Sequence, residues 1–339
     1  MWLILSSLPI KYPRRVSLAQ LPTPLQPVER LVIANTRAPR IWIKRDDLTG
    51  AALSGNKVRK LEFILAAVQD AECDTVITSG GLQSNHCRAT SLACAKLGLN
   101  AHLILRGEKQ EIADGNLLLD YLSGAEVSCY SIKEYQQSLD SLFDYWLDHY
   151  ESIGRKPFKV PTGASDGIGL WGYIAAAEEL KNDVFRLNIN PGAIVCATGS
   201  GGTQGGLMVG AEIHQLGCKV WGINVCDDER YFVDKVHEDI IDWQDRYPLG
   251  YKCEDIKVNI IDGYVGSGYA KAAPEIFETI AKVASTEGIV FDPVYTGKAF
   301  HGLIQELEAG RFDDCEDLIF VHTGGLFGLF PQKNQIIYP

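Results

Sequence analysis

Lys57 is the residue of this chain best suited by type and position to act as a nucleophile. It lies in Ser54-Gly55-Asn56-Lys57-Val58-Arg59-Lys60-Leu61-Glu62-Phe63, between an extended run, Ile41–Asp47, and a helical pattern. Val58, Leu61, Ile64, Leu65 and Val68 recur at helical spacing, which predicts one buried face with Ser54 as its cap. A lysine in the first turn opposes the partial positive charge there and gives up its proton more easily, as an amine nucleophile must. Read locally, it is also an ordinary surface lysine.

Three further clusters carry chemistry. Cys196-Ala197-Thr198-Gly199-Ser200-Gly201-Gly202-Thr203-Gln204-Gly205 follows an apolar strand and opens a helix, so converging amides and the helix N-terminus make a competent phosphate cradle. Gln204 stands where a dinucleotide fingerprint needs its third glycine, and the Gly-Lys-Ser/Thr ending of a nucleotide P-loop is absent. Ser79-Gly80-Gly81-Leu82-Gln83-Ser84-Asn85-His86 likewise joins a strand to a helix, with Ser84 as a cap or as a ligand-facing hydroxyl. His322-Thr323-Gly324-Gly325 ends a buried strand; locally it is a simple turn.

These clusters need elements to position them. Strands are predicted at Ile41–Lys44, Thr75–Thr78, Ala101–Leu105, Glu126–Tyr130, Ala193–Ala197, Lys219–Val225, Ile256–Ile261 and Leu318–Val321. Helices are predicted at Lys57–Gln69, Asn85–Leu97, Lys133–Glu151, Gly169–Lys181, Thr203–Leu216, Tyr269–Thr286 and Gly297–Glu308. The alternation implies an α/β protein with parallel sheets flanked by helices. Ligands of such sheets sit beyond the carboxyl ends of strands, where the glycine-rich turns lie. Asp227–Tyr251 reads as helix plus loop without a chemical signature.

Composition narrows the classes. With 339 residues the chain is long enough for one large or two interlocked domains. A net charge of -11 opposes nucleic-acid backbones and anionic membranes as partners. Nine scattered cysteines without a CxxC pair read as small core fillers in a reducing compartment, and no metal site is expected. The apolar start, Met1-Trp2-Leu3-Ile4-Leu5, is short and lacks a basic region, so neither a signal peptide nor a membrane span is expected and the cytoplasm is the expected location.

The string Ser-Gly-Asn-Lys-Val-Arg-Lys-Leu-Glu-Phe resembles the lysine segment of the D-cysteine desulfhydrase and 1-aminocyclopropane-1-carboxylate (ACC) deaminase family, whose common form is G-N-K-x-R-K-L-E. The resemblance recurs at Gly81–His86, at Asp292-Pro293-Val294-Tyr295-Thr296-Gly297-Lys298 and at His322–Gly325, in one order across residues 17 to 330. The family belongs to the fold-type-II pyridoxal-phosphate enzymes, similar to the tryptophan synthase β chain. The resemblance implies two open-twisted parallel-sheet domains: a small one at 58–165, inserted into a large cofactor domain of 1–57 and 166–339. It implies pyridoxal 5'-phosphate as cofactor, a small amino acid as substrate and a homodimer.

By the same resemblance, Lys57 anchors the cofactor covalently and is then the base, and Asn56 hydrogen-bonds its phenolic oxygen. Thr198, Gly199, Ser200, Gly201, Gly202 and Thr203 hold its phosphate, and Thr323 offers a hydroxyl to its pyridine nitrogen. Ser84, Asn85 and His86, with Gln83, grip the substrate carboxylate. Ser84, Tyr269 and Tyr295 face the substrate, although the Tyr-Gly-x-Pro-Asn continuation expected at Tyr269 is absent. Deaminases of the family carry glutamate and leucine where this chain has Thr296 and Thr323. A carboxylate at the pyridine nitrogen makes the strong electron sink needed to expel carbon, whereas thiolate leaves readily. The expectation is therefore β-elimination of D-cysteine to pyruvate, ammonia and hydrogen sulfide. An ACC deaminase, a lyase on a related β-substituted amino acid such as L-cysteate, and a non-catalytic pyridoxal-phosphate-binding protein are the alternatives.

Overall fold

The computed structural model describes residues 10–251, 253 and 255–336, so the apolar start at Met1–Leu5 lies outside them. Ten strands and nine α-helices occur among the described residues. Their order is β1 (Leu25–Pro27), β2 (Arg40–Arg45), α1 (Asn56–Asp70), β3 (Thr75–Gly81), α2 (Asn85–Leu97), β4 (Asn100–Arg106), α3 (Gly115–Leu122), β5 (Glu126–Tyr130), α4 (Ile132–Ser152), β6 (Pro157–Lys159), α5 (Trp171–Leu187), β7 (Pro191–Thr198), α6 (Gly202–Ile213), β8 (Lys219–Asn224), α7 (Glu229–Arg246), β9 (Asn259–Ile261), α8 (Pro274–Glu287), α9 (Thr296–Glu308) and β10 (Asp317–His322). Among the described residues, no helix is long and apolar enough to cross a membrane.

The strands form two sheets, ordered β1-β2-β10-β7-β8-β9 and β5-β4-β3-β6. Every pairing is parallel except β1 with β2, which is antiparallel. The second sheet uses only residues 75–159. Central β10 shows how one strand serves two layers, since alternate side chains point to opposite faces. Ile319 and Val321 pack with Trp171 and Trp243 on one face, while Leu318 and Phe320 pack with Phe291 and Phe300 on the other. All four β10 side chains are fully buried, which is why the strand reads as a continuous apolar run.

The helical face of α1 is buried as its spacing requires: Val58, Leu61, Leu65 and Val68 join Val76, Ala89 and Ala93 in a core shared with the second sheet. Its cap differs from expectation. Gly55, not Ser54, is the N-cap, with φ of 93°. A Cβ there would stand 2.8 Å from the Thr323 carbonyl oxygen, so the tight approach of α1 to the β10 turn demands glycine. Arg59, two residues past Lys57, locks the helix from behind. It donates to both oxygens of buried Asp46 and to Glu179, and Tyr173 donates to the same Asp46.

Several boundaries differ. The helix expected from Tyr269 starts at Pro274, because Gly266, Gly268 and Ala270 all have positive φ and proline pre-sets the first helical position. Tyr269 is therefore a loop residue. The strand expected at Ile256–Ile261 is confined to Asn259–Ile261. β1, β6 and α3 have no counterpart in the sequence reading, and α7 fills most of Asp227–Tyr251.

Candidate active site

The carboxyl ends of β3, β4, β7 and β10 open on one cavity of about 290 Å³ between the two sheets. It is lined by Asn56, Lys57, Ser84, Asn85, His86, Thr198, Gly199, Ser200, Gly201, Thr203, Tyr269, Tyr295 and Thr323, so residues up to 267 positions apart (56 to 323) meet there. Of the residues singled out in the sequence, Gln83, Gly202 and Thr296 are missing from the lining. Gln83 turns away: its side chain donates to the Asp114 carbonyl and accepts from the Asn116 amide, which fixes the start of α3. Gly202 faces backwards, with its amide on Ser165 Oγ.

Lys57 Nζ lies 3.1 Å from the Gly163 carbonyl and 3.3 Å from Ser200 Oγ, with no carboxylate paired to it among the described residues. Burial pushes its pKa down to about 8. The largest cause is desolvation by burial, and Lys57 also stands in the first turn of α1. Its neighbour Asn56 donates to Thr203 Oγ1 at 2.9 Å, tying α1 to the start of α6.

The Thr198–Thr203 turn contains a cation that the sequence reading passed over. A Cβ on Gly202 would stand 2.7 Å from Lys60 Nζ, so the ammonium lies directly behind the turn. Fully buried Lys60 donates to Ser165 Oγ, which also bonds Ser200 Oγ. Burial and the adjacent Lys57 hold the Lys60 pKa well below its ordinary value. An anion in the turn would favour the protonated amine, so the residues present fit a phosphate group: a glycine-rich helix N-terminus, the Ser200 and Thr203 hydroxyls and a buried amine behind them, while the Thr198 hydroxyl is donated to Gln204. Lys60 was legible in principle, since it is three residues from Lys57 and shares its helix face.

At the opposite wall, Ser84 caps α2 by accepting from the Cys87 amide. Asn85 Oδ1 accepts from Asn116, and its Nδ2 has no partner among the described residues. The His86 ring is committed elsewhere. Thr78 Oγ1 donates to the Val160 carbonyl, so His86 Nε2 must donate to Thr78, and Nδ1 faces Thr90 Oγ1 at 3.5 Å. Burial keeps this imidazole neutral. Among these residues, the Ser84 hydroxyl, the Asn85 amide and the helix N-terminus are left to receive a carboxylate; the His86 ring is not.

Tyr269 and Tyr295 meet over the cavity with their hydroxyls 2.7 Å apart. Burial raises both pKa values, Tyr269 to about 12 and Tyr295 further, so each phenol stays protonated at neutral pH. Lys298 holds the Tyr269 loop by donating to the Val265 and Gly268 carbonyls. Thr323 follows β10, and His322 fixes its turn: the Gly324 amide donates to Nδ1 while Nε2 bonds the Val290 carbonyl. Thr296 does not reach the cavity. Its hydroxyl donates to buried Asp292 in the turn that starts α9.

The family model for pyridoxal-phosphate-dependent enzymes matches residues 16–324. The chain belongs to that family. It is 44% identical, over 94% of its length and 80% of the relative's, to a bifunctional D-cysteine desulfhydrase/1-aminocyclopropane-1-carboxylate deaminase of Arabidopsis thaliana, named as mitochondrial. It is 35% identical to a D-cysteine desulfhydrase of Yersinia enterocolitica, over 95% and 97% of the two chains. Among solved structures, that of an ACC deaminase homologue superimposes with a TM-score of 0.83 at 35% identity, covering 95% of both chains. The protein is a pyridoxal-phosphate-dependent enzyme with the α/β fold of this group.

Proposed function

We propose that the enzyme eliminates the β-substituent of a small amino acid, with D-cysteine as substrate and hydrogen sulfide, pyruvate and ammonia as products. One observation carries this reading. The sole carboxylate lining the cavity among the described residues is Asp227, exposed at its rim, while the wall at the end of β10 offers the Thr323 hydroxyl. Bound pyridoxal phosphate supplies an electron sink for charge developing at the substrate's α-carbon. Thr323 would offer a hydroxyl rather than a carboxylate to the bound cofactor, which would leave a weaker sink that suffices for a sulfur leaving group.

The chain's own groups do the rest. The helix terminus at Ser84 and Asn85 orients the α-carboxylate. Lys57, neutral above about pH 8, anchors the cofactor and takes the α-proton. The carbon–sulfur bond breaks with its electron pair going to sulfur, and the paired phenols of Tyr269 and Tyr295 are protonated donors for the departing group. The aminoacrylate released hydrolyses to pyruvate and ammonia. Pyruvate release measured across D-cysteine, L-cysteine, β-chloro-D-alanine and L-cysteate, beside 2-oxobutyrate from ACC, tests the reading. D-Cysteine should give the highest kcat/KM. Faster 2-oxobutyrate formation from ACC would replace it with the deaminase alternative.

A further inference from the structure

The cavity holds one more cation than a cofactor phosphate and an α-carboxylate require. Arg106 ends β4 beside Gly81 of β3 and lines the cavity. Its guanidinium lies 4.7 Å over the ring of Tyr269 and 5.6 Å over that of Tyr135. It makes no hydrogen bond or ion pair to any described residue, and the only lining carboxylate, Asp227, is not within ion-pair distance. Five N–H donors thus face a partly enclosed site with two aromatic rings as their contacts.

The anion receptors of this site are spatially separate. The Thr198–Thr203 turn with Lys60 is one, and the α2 terminus at Ser84 is the second. Arg106 is the third, on a different strand from either and packed against the phenol ring whose hydroxyl meets Tyr295. A partly buried guanidinium stacked on rings keeps its charge and its planar fork, and it binds carboxylate, sulfonate or thiolate more strongly than an exposed cation does.

We propose that Arg106 is a specificity-determining residue that receives an acidic group on the substrate's β-carbon. The substrate class is an amino acid with a second acidic function at that carbon that can leave with the electron pair of its bond: a thiol or a sulfonate. This rests on the reading of the cavity as an amino-acid β-elimination site and deepens it. It places the leaving group against Arg106, on the Tyr269 side of the cavity, away from the carboxylate at α2.

The test uses the holoenzyme and acids that lack an amine, so that binding is read without turnover. Propanoate, 3-mercaptopropanoate, succinate and 3-sulfopropanoate are titrated by calorimetry into wild type, Arg106→Met and Arg106→Lys. In wild type 3-mercaptopropanoate or 3-sulfopropanoate should bind roughly tenfold to a hundredfold tighter than propanoate, the tighter of the two names the substituent, and succinate serves as a control for charge alone. Arg106→Met should abolish that preference while leaving propanoate affinity unchanged, and Arg106→Lys should restore part of it. Equal binding of all four acids by wild type, a preference retained in Arg106→Met, or an equal loss for propanoate would each overturn the proposal. Pyruvate release is scored separately: its absence from D-cysteine, L-cysteine, β-chloro-D-alanine and L-cysteate alike, alongside an Arg106-dependent preference, rejects the elimination reading and keeps the anion receptor.

Discussion

Cofactor capture by Lys57 should titrate far below the range of an ordinary lysine. The perturbation is pH alone, applied to cofactor-free protein mixed with pyridoxal phosphate. Imine formation needs the neutral amine, and burial lowers the Lys57 pKa from 10.5 to about 8. The sign follows from that direction: the amine is protonated below pH 8 and neutral above it. At pH 7.5 roughly a quarter of the Lys57 amines are neutral, against about one in a thousand for an unshifted lysine, a difference of roughly 200-fold. The phosphate's second ionisation, near pH 6, lies below this window. Capture is followed by stopped-flow absorbance of the imine band from pH 6 to 10. The rate should rise about tenfold per unit up to pH 7.5 and level off by pH 9. Lys57→Ala should give no band and no borohydride-fixed label. A rate that keeps climbing to pH 10, or a label on another lysine, would refute the assignment of a desolvated Lys57 amine.

Lys60→Met keeps the length of a buried side chain but removes the cation behind the Gly202 turn. Affinity for both pyridoxal phosphate and inorganic phosphate should fall about 10- to 100-fold by equilibrium dialysis, in line with the loss of one charge-assisted hydrogen bond. Unchanged affinity for both would show that the turn is not the cradle. Tyr295→Phe deletes one of two hydroxyls that lie 2.7 Å apart. It should lower kcat for sulfide release on the order of 10²- to 10⁴-fold with little change in KM. A change confined to KM would make the phenol pair a binding feature instead of a proton donor.

The sequence exposes what the backbone must do more readily than what the cavity lacks. α2 was read to the residue because both of its ends are chemical signals, Ser84 as cap and Gly98 in the left-handed region after it. The centre of β10, Leu318–Val321, is legible because a strand buried on both faces reads as a continuous apolar run, whereas its ends, Asp317 and His322, are buried polar residues that the pattern leaves out. The three-residue strands β1 and β6 carry no such pattern; each exists through a partner distant in sequence, β1 against β2 and β6 against β3. Tyr269 was placed on a helix because apolar spacing runs on through it, and only the loop's positive φ values and Pro274 break the pattern.

The same distinction separates the site residues. Lys57, the Thr198–Thr203 turn and Ser84 stand at strand-to-helix junctions, where glycine and capping residues are forced on the chain, so a linear motif marks them. Gln83 belongs to the same motif, yet Asp114 and Asn116, some 31 to 33 residues on, claim its side chain. His86 is claimed likewise by Thr78 and Thr90. Lys60 and Arg106 present the converse case. Lys60 stands inside the lysine motif and Arg106 outside any motif, but the part of each appears only in the assembled site, where Lys60 is buried behind the Gly202 turn and Arg106 is stacked on two rings without an ion-pair partner among the described residues. The candidate catalytic residues thus stand at the junctions, while under the proposed role of Arg106 the choice of substrate turns on a charge the fold leaves unanswered. Substitution at Arg106 should therefore redirect which acid binds without touching cofactor capture at Lys57, and calorimetry of the acids beside stopped-flow imine formation separates those roles.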